Sequence, residues 1–317
     1  MKSLILLIPM LAAFTAHTQK IEKYYNYLWK QCEPNASRFY SLIEKTDSGW
    51  RRRDYFIHER TLQMTGLYED STCKIPNGTF YFFHANGILE SAGTNVHGKK
   101  EGLWLSYYSN GMMHDSTLYA NGNPSGASYA WHQNGYLSDS SIYNEDGSGV
   151  EVSWFDNGAV SQAGRFSAGR KMNGKWQFFH NNEKLSALET YQEDVLLSKQ
   201  YFNDDGIEIA DTASKDKPAE FKGGLTGWQR YLEKQLYFPD QYKFTNGDSA
   251  VVVVTATIDE NGKVANAFVS TPFYPAFDRI ALGAVTKSPL WTPAISHNRK
   301  VKYSFRQAIS FVQQTQN

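Results

Sequence analysis

The sequence predicts a mainly β protein of two domains, in which an elongated single-layer sheet of repeated β-hairpins precedes a small α+β domain. Three observations lead to this prediction. A ten-residue frame recurs along the first half of the chain, and Asn-Gly pairs mark tight turns inside its copies. After residue 217 the hydrophobic periodicity alternates between helical and strand-like segments. The length of 317 residues also suits about two domains.

The N-terminus has the order of a secretory signal peptide. Lys2 precedes an apolar run over 4–16, and small residues follow before Gln19. We expect residues 1–18 to be removed by cleavage near Thr18. The alternative is a retained anchor, although the apolar run is shorter than the ~20 residues of a membrane-spanning helix. Cys32 and Cys73 would then lie in an oxidising compartment, where they could form a disulfide or stay as separate thiols.

Residues 19–48 give no clear assignment. Ile21, Tyr24, Tyr25 and Leu28 follow helical spacing, yet the density of aromatic residues also suits strands. Residues 49–68 resemble the later repeats with a one-residue slip. We interpret them as a degraded repeat that caps the array, because terminal repeats are usually atypical.

The repeats span 49–208. The frame is a glycine, an aromatic residue two places on, and Asn-Gly near its end; its copies begin at Gly78, Gly102, Gly126, Gly149 and Gly174. The frame is matched fully at 102–111 and partly in the other copies, and Asn182-Glu183 replaces Asn-Gly in the last one. Alternation of aromatic and polar residues predicts strands, so each copy predicts a hairpin. A lone hairpin is marginally stable, and we therefore expect Trp104 and Trp176 to be buried in a row of stacked hairpins.

The sequence Gly-Leu-Trp-Leu-Ser-Tyr-Tyr-Ser-Asn-Gly at 102–111 resembles the MORN-repeat variant family. That family has the pattern Gly-x-Trp-x-x-Tyr-Tyr-x-x-Asn-Gly, and the resemblance covers about 49–208. It implies an elongated sheet that acts as a scaffold or binding surface. Aromatic residues exposed on one face would bind a partner; the alternative is that they only pack on each other.

A polar segment without periodicity at 209–220 predicts a linker, and a second domain follows over 221–317. One helix should bury a stripe of Leu225, Trp228, Leu232 and Leu236 before Pro239. A hairpin turns at 259–262, a second helix begins at Pro275, and a closing strand runs over 301–311. This order predicts two helices on a small antiparallel sheet.

The second domain resembles the C-terminal domain of TonB. The matching residues are Phe-Lys-Gly-Gly at 221–224, Phe-Pro at 238–239, Ile-Asp-Glu-Asn-Gly-Lys-Val at 258–264 and Trp-Thr-Pro-Ala at 291–294. In that family the domain is periplasmic, and its last strand adds a short peptide of an outer-membrane transporter to the sheet edge. Carried over by position, the peptide-binding edge is Val301, Lys302, Tyr303, Ser304, Phe305, Arg306, Gln307, Ala308 and Ile309.

Two departures limit this implication. Ala250 stands where the family usually has glycine. An energy transducer also needs an N-terminal membrane helix, whereas the apolar segment here is short. The chain could therefore bind without transmitting force.

Composition excludes several classes of function. Basic and acidic residues number 32 each, which gives no indication of nucleic acid or an anionic membrane surface. No cofactor motif is present, because Cys-x-x-Cys, His-Glu-x-x-His and a phosphate-binding glycine loop are all missing. Histidines recur near the predicted turns at the spacing of the repeat, which favours a structural role over a metal site. We therefore predict a non-enzymatic protein with a protein or peptide partner, either at a transporter or as an envelope scaffold.

Overall fold

The computed structural model describes residues 19–244 and 250–313 of the chain. The predicted signal segment, 1–18, lies outside the described residues. Two parts are present, a long antiparallel sheet and a small α+β domain, as the sequence predicts.

Within the described residues the first sheet has sixteen strands, each paired with the next in chain order. They are β1 Lys20–Tyr25, β2 Phe39–Thr46, β3 Gly49–Phe56, β4 Thr61–Tyr68, β5 Gly78–Phe83, β6 Leu89–Val96, β7 Lys99–Tyr107, β8 Met113–Ala120, β9 Asn123–Trp131, β10 Leu137–Tyr143, β11 Gly149–Trp154, β12 Val160–Ser167, β13 Lys171–Phe179, β14 Leu185–Gln192, β15 Val195–Phe202 and β16 Glu208–Ile209. The sheet begins at Lys20, earlier than the predicted start of the repeats at 49. The helical alternative for the segment around Tyr24 is wrong.

The small domain follows with α1 Gly224–Gln235, β17 Ala250–Ile258, β18 Val264–Thr271, α2 Pro275–Thr286, β19 Ala294–Ser296, β20 Arg299–Val301 and β21 Tyr303–Phe311. Its main sheet has the order β18-β17-β21, and β19 pairs with β20 as a separate hairpin. The predicted order of helices and strands is confirmed, with this hairpin added.

Aromatic side chains of one repeat lie on glycines of the preceding repeat. A Cβ atom on Gly93 would be 2.1 Å from the Trp104 ring, and one on Gly164 would be 2.1 Å from the Trp176 ring. Each indole Nε1 also donates to a backbone carbonyl of the strand beneath it at 3.0 Å. Trp104 and Trp176 are buried, as predicted. We call the face that carries these two rings the inner face.

The first glycine of the frame forms a β-bulge. Gly102, Gly126 and Gly174 have φ of 68°, 79° and 73°, and the strand register shifts beside each of them. A left-handed glycine is the usual first residue of one bulge type. Strands β10 and β11 pair without a shift, and the interval from Gly126 to Gly149 is one residue shorter than the interval before it.

The recurrent histidines tie each turn to the next repeat. Nε2 of His84 lies 2.9 Å from the Tyr107 carbonyl, and Nε2 of His132 lies 2.9 Å from the Trp154 carbonyl. His180 repeats the contact at 3.1 Å. Among the described residues no group of three or more histidine, cysteine, aspartate or glutamate side chains is arranged to hold a metal ion.

The two cysteines are free thiols in the structure. The backbone N–H of Cys32 bonds to Tyr24 in the connection from β1 to β2. Cys73 lies in the loop after β4, with its sulfur 4.0 Å from the Ser71 carbonyl.

The core of the small domain lies between the helices and one face of its sheet. Trp228 and Leu232 of α1 and Phe277 of α2 are buried against strand residues such as Val254. The prediction that Leu225 belongs to the buried stripe is wrong, because its side chain is 72% exposed. Leu225 lies in the first turn of α1, ahead of the part of the helix that packs on the sheet.

The second half of the predicted linker is hydrogen-bonded to the small domain. Lys217 exchanges two backbone hydrogen bonds with Ile295, and Glu220 exchanges two with Thr292. Residues 210–216 therefore connect the end of β16 to a segment that already belongs to the small domain.

Candidate functional site

The last strand, β21, is an edge of the small sheet. It pairs with β17 from Tyr303 opposite Ile258 to Phe311 opposite Ala250. Within the described part of the chain no strand pairs with its other side. An unpaired strand edge presents backbone donors and acceptors to an added strand.

The structure places seven of the nine predicted edge residues in β21. Tyr303, Phe305 and Ile309 pack on the core, and the alternate side chains Ser304, Arg306 and Ala308 are exposed. Val301 and Lys302 are different. Val301 belongs to β20 and pairs with Ala294, and Lys302 lies between the two strands. The predicted unbroken strand over 301–311 is therefore wrong, because the β19–β20 hairpin uses its first residue.

Gln307 organises the middle of this edge. Its Oε1 accepts a hydrogen bond from Nε1 of Trp228 at 2.8 Å, which fixes the amide against α1. Its Nε2 donates to the carbonyl of Ala308 at 2.7 Å. In an antiparallel pair, alternate residues direct both backbone groups away from the partner strand. We infer that Ala308 and Ser310, two residues on, are outward-directed residues of the edge.

A groove of about 800 Å³ lies beside the C-terminal end of β21. One side is formed by the segment after α1 and the other by the end of the strand; its lining includes Tyr237, Phe238, Tyr242, Ser310, Phe311 and Val312. Tyr237 is 65% exposed and Val312 is 77% exposed. The groove thus offers aromatic rings together with the charged side chains of Asp240 and Lys243 next to the open edge, and sequence reasoning did not identify it.

The β19–β20 hairpin fastens the small domain to the inner face of the long sheet; we call residues 297–299 the latch. The ring of His297 stacks on Phe178 with centroids 3.7 Å apart. Nδ2 of Asn298 donates to the carbonyls of Ser186 and Phe202, at 3.2 and 2.9 Å. These contacts are made by a turn whose two central residues, His297 and Asn298, have positive φ, the geometry of a type I′ hairpin.

Charged groups complete the latch. Burial would raise the pKa of Glu189, but hydrogen bonds from His297 and Tyr191 outweigh it, so the pKa of Glu189 lies below its usual value. The His297 Nδ1 to Glu189 Oε2 distance is 2.8 Å. The guanidinium of Arg299 donates to the side chains of Ser161 and Gln162, and burial lowers the pKa of Arg299 to about 10.

A second contact joins the small domain to the N-terminal end of the long sheet. His58 lies against the rings of Phe273 and Tyr274, and the guanidinium of Arg38 lies 4.2 Å from the Phe273 ring centroid. Burial lowers the pKa of His58 to about 4. Burial also raises the pKa of Asp278 to about 6, although its carboxylate accepts a hydrogen bond from the Phe273 N–H.

Between these two contacts lies a cleft of about 710 Å³, at whose side the rings of His84 and Phe268 meet with centroids 5.8 Å apart. Its floor includes His84, Tyr108 and His132 of the long sheet, and its roof includes Thr257 and Ser304 of the small sheet. An ion pair of 2.7 Å between Lys302 and Asp156 crosses it. Ser304, predicted to be an open edge residue, therefore faces the long sheet.

The latch and the groove could not be identified from the sequence pattern. The polar residues around Asn298 are the signal for a turn. One of its partners in the long sheet, Ser186, is more than a hundred residues away in the sequence.

Neither α1 nor α2, the helices of the described residues, is long and apolar enough to cross a membrane.

These features define a class of protein: a hairpin-repeat sheet that carries a small α+β domain with an open strand edge. Residues 234–312 match the family model described as Gram-negative bacterial TonB protein C-terminal. Residues 100–121 and 172–193 match the MORN repeat variant family. The curated proteins contain no match to this chain.

Both resemblances inferred from the sequence are thereby confirmed, over shorter ranges than expected. The two families are non-catalytic families of protein-interaction domains. Together they indicate a protein-interaction role at the cell envelope.

Proposed function

We propose that this chain is an exported, non-enzymatic protein that binds an extended peptide of an outer-membrane transporter along the open edge of β21. The observation that carries the proposal is the unpaired side of β21 within the described residues. Main-chain hydrogen bonds to such an edge supply affinity, and neighbouring pockets select side chains. The groove beside Ser310 is such a pocket.

Export is part of the same proposal. Residues 1–18 would act as a signal peptide, and removal near Thr18 would release the chain into the periplasm. N-terminal sequencing of the protein purified from its native host should begin close to Gln19. A chain that retains Met1 would contradict this part of the proposal.

A second candidate function is an envelope scaffold without energy transduction. It is favoured by the latch, because Arg299 and Asn298 hold the small domain on the repeat sheet. In that case the repeats bind the partner and the β21 edge stays empty.

Proline at Ser310 separates the two candidates. It removes one outward N–H from the edge while Ser310 has no core contact. The full chain from Gln19 onward would be titrated with a fluorescent peptide of about ten residues, taken from the periplasmic segment of an outer-membrane transporter. Anisotropy should show binding by the parent and at least a ~10-fold loss in Ser310→Pro, about 1.4 kcal/mol.

The matched control is Ser310→Ala, which keeps the N–H and should bind like the parent. Far-UV circular dichroism of both variants checks folding. Equal binding by a folded Ser310→Pro chain would refute the edge model and leave the scaffold function.

A further inference from the structure

One row of the long sheet reverses its polarity in the central strands. The inner-face row that holds Trp104 and Trp176 continues between them with polar residues: Thr117, Ser128, Ser141 and Glu151. The register is continuous, since Trp104 is opposite Thr117 and Ser141 is opposite both Ser128 and Glu151. These four side chains bond to one another or to polar neighbours, as in the 2.8 Å contact of Thr117 with Ser128.

The neighbouring row on the opposite face of the same strands is apolar and exposed. We call Leu103, Leu118, Ala127, Ile142 and Val150 the outer patch. Leu103 is opposite Leu118, and Ile142 is opposite both Ala127 and Val150. Leu118 and Ala127 adjoin the paired residues Thr117 and Ser128, beside the bulge at Gly126, so the patch crosses five neighbouring strands. The four larger side chains are 42–57% exposed. Tyr81 and Tyr129 extend the exposed apolar surface in the adjacent row.

No charged side chain lies within the outer patch, and Arg165 stands at its end, opposite Val150. The chain has no lysine or arginine from residue 101 to residue 164. Asp139 and Glu151 of this stretch are bonded to Ser153, which lies with them on the inner side. The carboxylate of Glu101 accepts from the Asn121 N–H in a turn. The outer patch can therefore leave water without the cost of burying an ionised group.

We propose that the outer patch is the interface of a homodimer, in which a second copy of this chain packs its own outer patch against the first. Sheets pack face to face about 10 Å apart through their inward side chains. The two tyrosines and four larger aliphatic residues each expose on the order of 100 Å², roughly 600 Å² in all. With a rim of residues such as Ser116 and Ser140 this approaches the ~800 Å² per partner of a standard interface.

A twofold axis near Ala127 makes the patch self-complementary, because each end of the row then meets the other end in the partner. Two cations lie beside the patch. Arg165 lies opposite Val150, and Lys175 follows on the next strand; neither forms an ion pair within the described residues. In the proposed dimer, Arg165 and Lys175 of one copy lie over the end of the other copy's row near Thr94. They do not lie over the same two residues of the other copy. Like charges are thus kept apart.

The test is the oligomeric state of the chain from Gln19 onward, measured by sedimentation velocity over roughly 0.1 to 50 µM, a range in which interfaces of this size associate. The parent should be dimeric in the upper part of the range. Ile142→Glu should raise the dimer dissociation constant by about 100-fold or more, because each copy would bury a carboxylate at the centre of the interface. The matched control is Leu197→Glu, since Leu197 is 59% exposed against 57% for Ile142 and lies outside the patch.

Val150→Thr gives a second measurement with a β-branched side chain that suits a strand, and it should weaken the dimer by about 10-fold. It decides the question if Ile142→Glu does not fold. A parent that stays monomeric over the whole range would overturn the proposal. So would a dimer that Val150→Thr and a folded Ile142→Glu leave unchanged, because the contact would then lie elsewhere.

Discussion

The contact between Trp104 and Gly93 predicts a strong coupling between two residues of different repeats. Trp104 is 7% exposed, and its indole lies directly on the Gly93 backbone. Trp104→Ala should lower the free energy of unfolding by ~3–5 kcal/mol, because it removes a large buried ring and leaves a cavity. The Thr94 carbonyl would also lose the indole N–H that bonds to it at 3.0 Å.

Gly93→Ala should cost ~1–3 kcal/mol or more in the parent, since its Cβ would overlap the ring at 2.1 Å. In a chain that already has Trp104→Ala, the same methyl group enters empty space. The double variant should then be more stable than the sum of the single effects predicts, by ~1–3 kcal/mol. Urea unfolding of all four chains, followed by circular dichroism, measures this coupling. Additive effects would show that the ring does not rest on Gly93.

Three further outcomes are expected. Asn298→Ala should speed proteolysis within 210–216 several-fold, because the latch loses both bonds to the long sheet; an unchanged rate would contradict this. Burial raises the pKa of Asp278 to about 6 from 3.8, so the folded chain binds the extra proton and stability should fall as pH rises through that window and then level off. Asp278→Asn should reduce this fall in urea titrations at several pH values, and a curve identical to that of the parent would refute the assignment. Lys302→Ala breaks a partly exposed ion pair with Asp156 and should change the unfolding free energy by no more than ~1 kcal/mol.

The repeat sheet was predictable because its signals are local. Alternation, Asn-Gly turns and a period of about two dozen residues are set within each copy, and they fix which residues share a face. The burial of Trp104 and Trp176 follows from that register alone. The start of the sheet at β1 was missed, because Tyr24 and Tyr25 satisfy helical spacing as well as a strand, and pairing with β2 decides between them.

The site was less predictable because it depends on contacts between distant segments. The family resemblance locates the edge in β21, but Lys302 bonds to Asp156 and His297 stacks on Phe178 across the domain boundary. Such contacts are selected by the shapes of two folded surfaces and have no periodicity in the sequence. The outer patch has a sequence signal, since Ser128 stands where the frame calls for an aromatic residue. Only the structure shows on which side of the sheet the outer patch lies relative to the small domain.

The placement of a tryptophan on the glycine of the preceding repeat also constrains how such a chain can grow or shrink. The contact between Trp176 and Gly164 joins the first strand of one copy to the second strand of the copy before it. A duplication or deletion preserves both partners only when its endpoints fall at equivalent positions in two copies. A duplication or deletion out of phase would place a ring over a residue that has a side chain. The two would then overlap, as the Trp176 ring would overlap a Cβ atom at Gly164. The copy number of the array can therefore vary in whole periods, and its ends are free to diverge because their rings or glycines have no neighbour to match.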